Sequence, residues 1–328
     1  MIRTKKKKQS SSEPEKPKKK KHLSELEKRK NSLNSNGQKR KEFRKADAIF
    51  GADLHSRLDS PVARKDDYLS AWIKKMNFIS ELQQKHNCPF LVAGDFFDHW
   101  KPSPELLALV AKAMPKDTYC VYGNHDLPEH SISQKHRSGL YALEASGVIK
   151  MLPFGYWKDV PGEEGFRIKN RNIFIWHKCV YRVKEQWMDS TDSVHARKLL
   201  KIYPQFDVIV TGDNHQPFIE ELDGRLLVNC GSLMRIRASQ VDYKPCVYLY
   251  YADTNEVEKV YLPIEIDVFT VEHLEKKQDR EQRISEFVKS LGNWESGLDF
   301  YENLKLFEQK NKPEPEVMRI IYKSMDAV

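Results

Sequence analysis

The sequence predicts an α/β fold whose first half pairs parallel strands across helices and whose second half is rich in hairpins. Three observations carry this. From about Ala46, short apolar runs alternate with longer stretches of helical periodicity. The runs are nearly continuous in apolar residues, as strands covered on both faces are. Beyond residue 170 the helical stretches thin out, and turn signals such as LDGR and ADTNE take their place. A chain of 328 residues is long enough for one large α/β domain with an appendage, or for two small domains.

In chain order, a different kind of segment comes first. Residues 1–45 hold 18 Lys+Arg against 5 Glu, which leaves 37 Lys+Arg and 42 Asp+Glu in the rest. The net charge of +8 therefore belongs to this segment, and the body is acidic. With almost no aromatic or β-branched residues it cannot bury enough surface to offset the cost of ordering, so a disordered basic tail is expected over 1–45. Such a tail suits a nucleic-acid tether held by counterion release, or a localisation signal; the plainer reading is a solvated leader.

AIFGADLH then reads as a strand running into a loop. DDYLSAWIKKMNFISELQQKH places Leu69, Trp72, Ile73, Met76, Ile79 and Leu82 at helical spacing, so one face packs inward. PFLVAGDFF is the next strand. PSPELLALVAKAM is a helix with prolines at its N-terminal edge, where they are favoured, and TYCVYGNHD is a third strand. Strands linked by crossover helices imply parallel pairing. NIFIWHKCV, FDVIVTGDNH, RLLVNCGSL, CVYLYYAD and VEKVYLPIEI follow as strands with few helices between them. RISEFVKSL, GLDFYENLKLFEQ and PEVMRIIYKSM close the chain as amphipathic helical pieces. The layout expected is a tail over 1–45, a domain over 46–266, and a helical appendage over 267–328 that caps the domain or docks a partner.

No apolar run approaches the roughly 20 residues of a membrane span, and the N-terminus has no apolar stretch of signal-peptide type, so a cytoplasmic protein without a membrane partner is expected. The five cysteines have no C-x-x-C pair and lie mostly in apolar segments, as buried reduced thiols do.

Polar residues that can bind metal gather at the ends of the strands. Asp53 and His55 follow the first, Asp95 and Asp98 the second, and Asn124, His125 and Asp126 the third. His177 follows the fourth, and Asp213 and His215 the fifth. Ligands of open α/β sheets bind beyond the carboxyl ends of the strands, so this is where a site belongs. Taken singly, an Asp after a Gly is more often a turn or cap, and a lone His a satisfied core residue. Here the combination counts, because the other histidines lie in tail, loop or helix contexts.

D-x-H, G-D-x-x-D, G-N-H-D, a strand-end His and a final G-x-x-H, in this order, resemble the calcineurin-like metallophosphoesterases. The resemblance covers roughly residues 46–265 and implies a four-layer αββα sandwich with a two-metal site. VAGDFFDHWKPSPE, VYGNHD and VNCGSLMR look most like the SbcD-type DNA-repair exonuclease branch. That implies a DNA exonuclease or endonuclease acting in repair, recombination or replication, with DNA and an SMC-like coiled-coil ATPase as partners; a homodimer is also compatible.

Carried over by position, Asp53, His55 and His215 would hold one metal, Asn124 and His177 the second, and Asp95 would bridge them. His125 would be the catalytic histidine and Asp126 would fix its tautomer; Asp98 and Asp126 could equally be structural. Oxygen and imidazole donors together suit two manganese ions, with magnesium, iron or zinc as substitutes. At Asp213 the chain departs from the family's G-H-x-H turn. A carboxylate is still an oxygen ligand for a hard cation, so a retained second site tilted towards manganese or magnesium is expected. The alternatives are a phosphatase of nucleotides or phosphoproteins, and a catalytically weakened scaffold that only binds.

Overall fold

The structure, a computed structural model, describes residues 43–183, 192–270, 282–283 and 300–325. The expected basic tail, except its last three residues, and RISEFVKSL, except Arg283, lie outside the described residues.

Two sheets form the centre. The first runs β13-β12-β1-β2-β3-β4. Its strands are β1 (Ala48–Gly51), β2 (Phe90–Val92), β3 (Thr118–Cys120), β4 (Lys150–Met151), β12 (Cys246–Tyr251) and β13 (Glu256–Tyr261). The β1 to β4 pairings are parallel, with Phe50 opposite Leu91 and Leu91 opposite Tyr119. The second runs β10-β11-β9-β6-β5. It contains β5 (Phe166–Ile168), β6 (Arg171–Trp176), β9 (Val208–Thr211), β10 (Phe218–Leu222) and β11 (Arg225–Asn229). A small parallel pair, β7 (Val180–Tyr181) and β8 (Val194–His195), stands apart.

The period of two along each strand sets the layers. Phe50, Leu91 and Tyr248 of the first sheet share a core with Ile173, Ile175, Val208, Val210 and Val228 of the second, so these faces pack on each other. Ile49, Phe90 and Val92 point the other way, onto α1 (Tyr68–His86), α2 (Pro104–Ala113) and α3 (Gly139–Ala145). Phe174, Trp176, Ile209 and Leu227 pack outward against Leu199 and Leu200 of α4 (Ala196–Ile202). Helix, sheet, sheet and helix make the expected αββα sandwich.

α1 begins where the Asp67 side chain accepts from Ser70 N, and it ends at Asn87 in the left-handed conformation, φ 49°. It buries Tyr68, Trp72, Met76 and Ile79 along one stripe. α2 is capped by Ser103 and carries Pro104 in its first turn. The LDGR turn closes the β10–β11 hairpin with both central residues left-handed, Asp223 at φ 52° and Gly224 at φ 73°, as a two-residue hairpin turn demands.

The second half is rich in hairpins as expected, with β5–β6, β10–β11 and β12–β13 each paired antiparallel, but its sheets are joined by longer-range pairings as well. β9 lies parallel to both β6 and β11, while β12 crosses back to pair antiparallel with β1 in the other sheet. TYCVYGNHD is a strand only over Thr118–Cys120, and the rest is the loop that carries the site. Near the C-terminus GLDFYENLKLFEQ and PEVMRIIYKSM contain helices α5 (Phe300–Asn311) and α6 (Pro315–Met325). All five cysteines are buried and none is disulfide-bonded. No helix among the described residues is long and apolar enough to cross a membrane.

One residue on the buried stripe of α1 is costly. Lys75 is 3% exposed, and its Nζ lies 3.2 Å from Met234 Sδ. Burial, with the nearby positive charges of Arg64 and Arg235, pulls its pKa down to about 7, against an ordinary 10.5. Between those values the unfolded chain binds a proton that the folded one refuses. The resulting destabilisation is therefore complete below pH 7 and gone above about 10.5. Lys75→Met is expected to add on the order of 1–4 kcal/mol at neutral pH, the gain seen when a buried charge gives way to a well-packed apolar side chain. Thermal melts at several pH values check this: the gain should shrink as pH rises towards 10, and a pH-independent gain would assign it to packing alone.

Candidate metal centre

The loops after β1, β2 and β3 in one sheet, and after β6 and β9 in the other, open at the same end of the sandwich. Every sequence-predicted ligand meets there. Single donor atoms of Asp53, His55 and His215 lie within 4.8 Å of one another, as do those of Asp53, Asp95 and His177. Asn124 Oδ1 lies 2.9 Å from His177 Nε2, and Asp213 Oδ1 lies 3.8 Å from the same nitrogen. Asp53, His55, Asp95 and His177 are buried, whereas His125 is exposed at the mouth.

Unusual backbone brings these side chains in. Asp53, His55, Asp95 and Asp213 all have left-handed φ, at 52°, 41°, 49° and 70°. A non-glycine residue there costs energy that surrounding structure must hold, and such residues cluster at functional sites. Close approach is bought with glycine. A Cβ on Gly94, φ 83°, would sit 2.4 Å from His177 Nδ1, and one on Gly123 would sit 2.1 Å from Asp95 Oδ1.

The donor atoms suit a cation. His177 Nδ1 donates to the Ala93 carbonyl at 2.8 Å, which turns Nε2 into the cluster. Burial alone would push the His177 pKa down, yet the charges of Asp95, Asp213 and Asp53 outweigh it and lift the value to about 9. Burial raises Asp53 well above the usual carboxylate range; His177 opposes this, while Asp95 and Asp213 add to it. Burial also lowers His55 and His215, so both rings are neutral at pH 7. Their Nε2 atoms lie 3.3 Å apart, and His55 Nδ1 makes no hydrogen bond among the described residues. Crowded carboxylates facing neutral imidazoles, with an orphaned ring nitrogen, are the chemistry of a metal site.

Asp126 takes the structural one of the two roles the sequence left open. Its carboxylate is fully buried and accepts from the backbone N–H groups of Phe96, Phe97 and Gly123, stitching the β2 and β3 loops together. The tautomer of His125 is fixed instead by the Asp98 carbonyl, which accepts from Nδ1 at 2.8 Å. Asp126 is thus a structural residue, held near pH 7 in its titration mainly by burial. Partial desolvation pulls the His125 pKa down; the charge of Asp95 and the bond to Asp98 more than restore it, leaving it raised.

Other contributors escaped the sequence reading. Arg57 Nη1 donates to Asp98 Oδ2 at 2.9 Å. Asn229 Nδ2 donates to the carbonyls of Asn214 and Gln216, at 2.6 and 2.8 Å, and so braces the turn that holds Asp213 and His215. Its position in VNCGSL, at the end of a strand beside the GDNH strand, was the signal available.

Among solved structures the chain is similar to an archaeal phosphodiesterase, at 14% identity and TM-score 0.40, covering 66% of this chain and 99% of that one. Vacuolar Protein Sorting 29 from Cryptosporidium parvum matches at 16% identity and TM-score 0.33, covering 66% and 98%. A conserved uncharacterized protein, a predicted phosphoesterase, from Streptococcus pneumoniae TIGR4 matches at 10% identity and TM-score 0.31, covering 67% and 99%. No curated protein matches the chain. The sequence profile of the calcineurin-like phosphoesterase superfamily domain matches residues 51–253, the span that supplies all of the second sheet, most of the first and every donor of the cluster, and the chain belongs to that superfamily.

Proposed function

We propose that this phosphoesterase is a metal-dependent nuclease that hydrolyses phosphodiester bonds of DNA. The observation that carries the reading is convergence: oxygen and imidazole donors from both sheets surround one point, with the exposed His125 at its edge. Asp53, His55 and His215 would hold one ion, Asn124, His177 and Asp213 a second, and Asp95 would serve both. Two divalent cations so held would supply a nucleophile at neutral pH and would neutralise the charge that develops on a phosphate.

The chain's own residues do the rest. With Nδ1 committed to the Asp98 carbonyl, His125 can donate to substrate only from Nε2, and only as imidazolium. Its raised pKa favours that form, so it can protonate a leaving oxygen or hold a phosphoryl oxygen. Arg57 steadies Asp98 from behind. A carboxylate at 213 in place of imidazole favours hard ions, which supports manganese. VAGDFFDHWKPSPE and VNCGSLMR support the SbcD-type branch and, with it, an SMC-like ATPase partner; the basic segment 1–45 supplies charge for DNA that the acidic body lacks.

The test is incubation with manganese and labelled linear DNA, single- and double-stranded, beside His125→Ala. Cleavage that falls by roughly 10²–10⁴-fold in the variant is the expected result for loss of a proton-transfer group. Turnover of small phosphomonoesters with intact DNA would instead make the protein a phosphatase.

A further inference from the structure

The segment between β4 and β5 lies against the site without supplying a donor to it. It bridges two ligand-bearing strand ends: Trp157 N donates to the Tyr122 carbonyl at 2.9 Å, just before Asn124, and His177 N donates to the Gly155 carbonyl at 2.8 Å. Trp157 is only half-buried there. The exposed ring of His130 lies against it, centroids 5.3 Å apart at 57°. His130 is itself tied to the site, since its Nδ1 donates to the Asn124 carbonyl at 2.9 Å. The ammonium of Lys158, also exposed, sits 4.2 Å above the indole centroid. An aromatic pair with a cation at its face therefore borders the Asn124 side of the cluster.

We propose that the His130–Trp157 pair is a stacking platform for an unpaired nucleobase next to the cleaved phosphate, with Lys158 meeting the backbone. This deepens the nuclease reading and rests on it. Side-chain rings accept a base only when it has left its own stack, so the substrate strand at the site is single-stranded or frayed. With 37 Lys+Arg against 42 Asp+Glu beyond residue 45, the body adds little net attraction of its own, so stacking beside the site adds grip there to whatever the basic segment 1–45 supplies. A base on the indole would displace Lys158, freeing its ammonium for a phosphate oxygen.

The full-length chain with manganese would be given two single-stranded oligonucleotides of equal length, one all-thymidine and one wholly abasic. Cleavage and fluorescence-anisotropy binding are both measured. The wild type should favour the base-bearing strand by roughly tenfold, the scale of one stacked base. Trp157→Ala and His130→Ala should bring that ratio close to one, and Trp157→Phe should keep most of it. A wild-type ratio near one, or an unchanged ratio in a folded Trp157→Ala protein, overturns the platform. If no DNA is cut at all, the nuclease reading fails by itself, and the binding ratio still decides the platform.

Discussion

Asp95→Asn is expected to abolish metal-dependent hydrolysis while leaving the fold intact. Asp95 approaches both halves of the cluster, with Oδ1 3.4 Å from His177 Nε2 and Oδ2 3.9 Å from His55 Nε2. Asparagine keeps an oxygen to accept from His125 N, as Asp95 Oδ1 does at 3.0 Å, but it lacks the charge that two cations would share. The loss should exceed the roughly 10–100-fold typical of removing an outer partner of a metal ligand. Stability in chelator should change far less than activity, because Asp95 both raises buried Asp53 and helps hold the proton on His177. The apoprotein of the variant should melt close to the wild type, and manganese should raise the melting temperature of the wild type alone. Full activity in Asp95→Asn would remove it from the metal centre.

Trp72→Ala is expected to cost about 3–5 kcal/mol, the range for deleting a fully buried large aromatic. Trp72 is 0% exposed and sits in the middle of the α1 stripe, packed with Tyr68, Met76 and Ile79 against the first sheet. At roughly 2–4 °C per kcal/mol for a domain of this size, its melting temperature should fall by about 10 °C. Its indole nitrogen has no hydrogen-bond partner among the described residues. Trp72→Phe removes that unsatisfied donor and keeps most of the contact, so its loss should be much smaller. Equal losses for the two variants would show that the indole volume, rather than aromatic burial as such, is what α1 requires.

Much of the fold was legible where the signal is local. α1 combines an apolar stripe with Asp67 and Asn87 at its ends, and the β10–β11 hairpin announces itself through Asp223 and Gly224. α3 and α4 were not legible, since seven residues each are too few to display a helical period. The return of β12 to β1 is a pairing across about two hundred positions, with Ile49 opposite Leu249, and no neighbouring residue encodes it. The site was more readable than the topology, because its residues stand at strand ends and the sheets deliver those ends together. Asp126 stayed open between two roles because it is adjacent to His125 in sequence, while its side chain turns inward to three backbone N–H groups. The His130–Trp157 contact joins two loops and leaves no pattern along the chain. Asp213 has a local reason of its own: at φ 70°, aspartate is among the few L-residues that accept the backbone readily.

The donors come from both sheets, and this has a consequence for lifetime. An ion held at once by Asp53 and His215 closes a loop of about 160 residues, far longer than most disulfides span. With such an ion bound, the two sheets could not part until it was released. Unfolding of the metal-bound protein would then be timed by ion departure, and a chelator would act as a trigger for opening as well as an inhibitor.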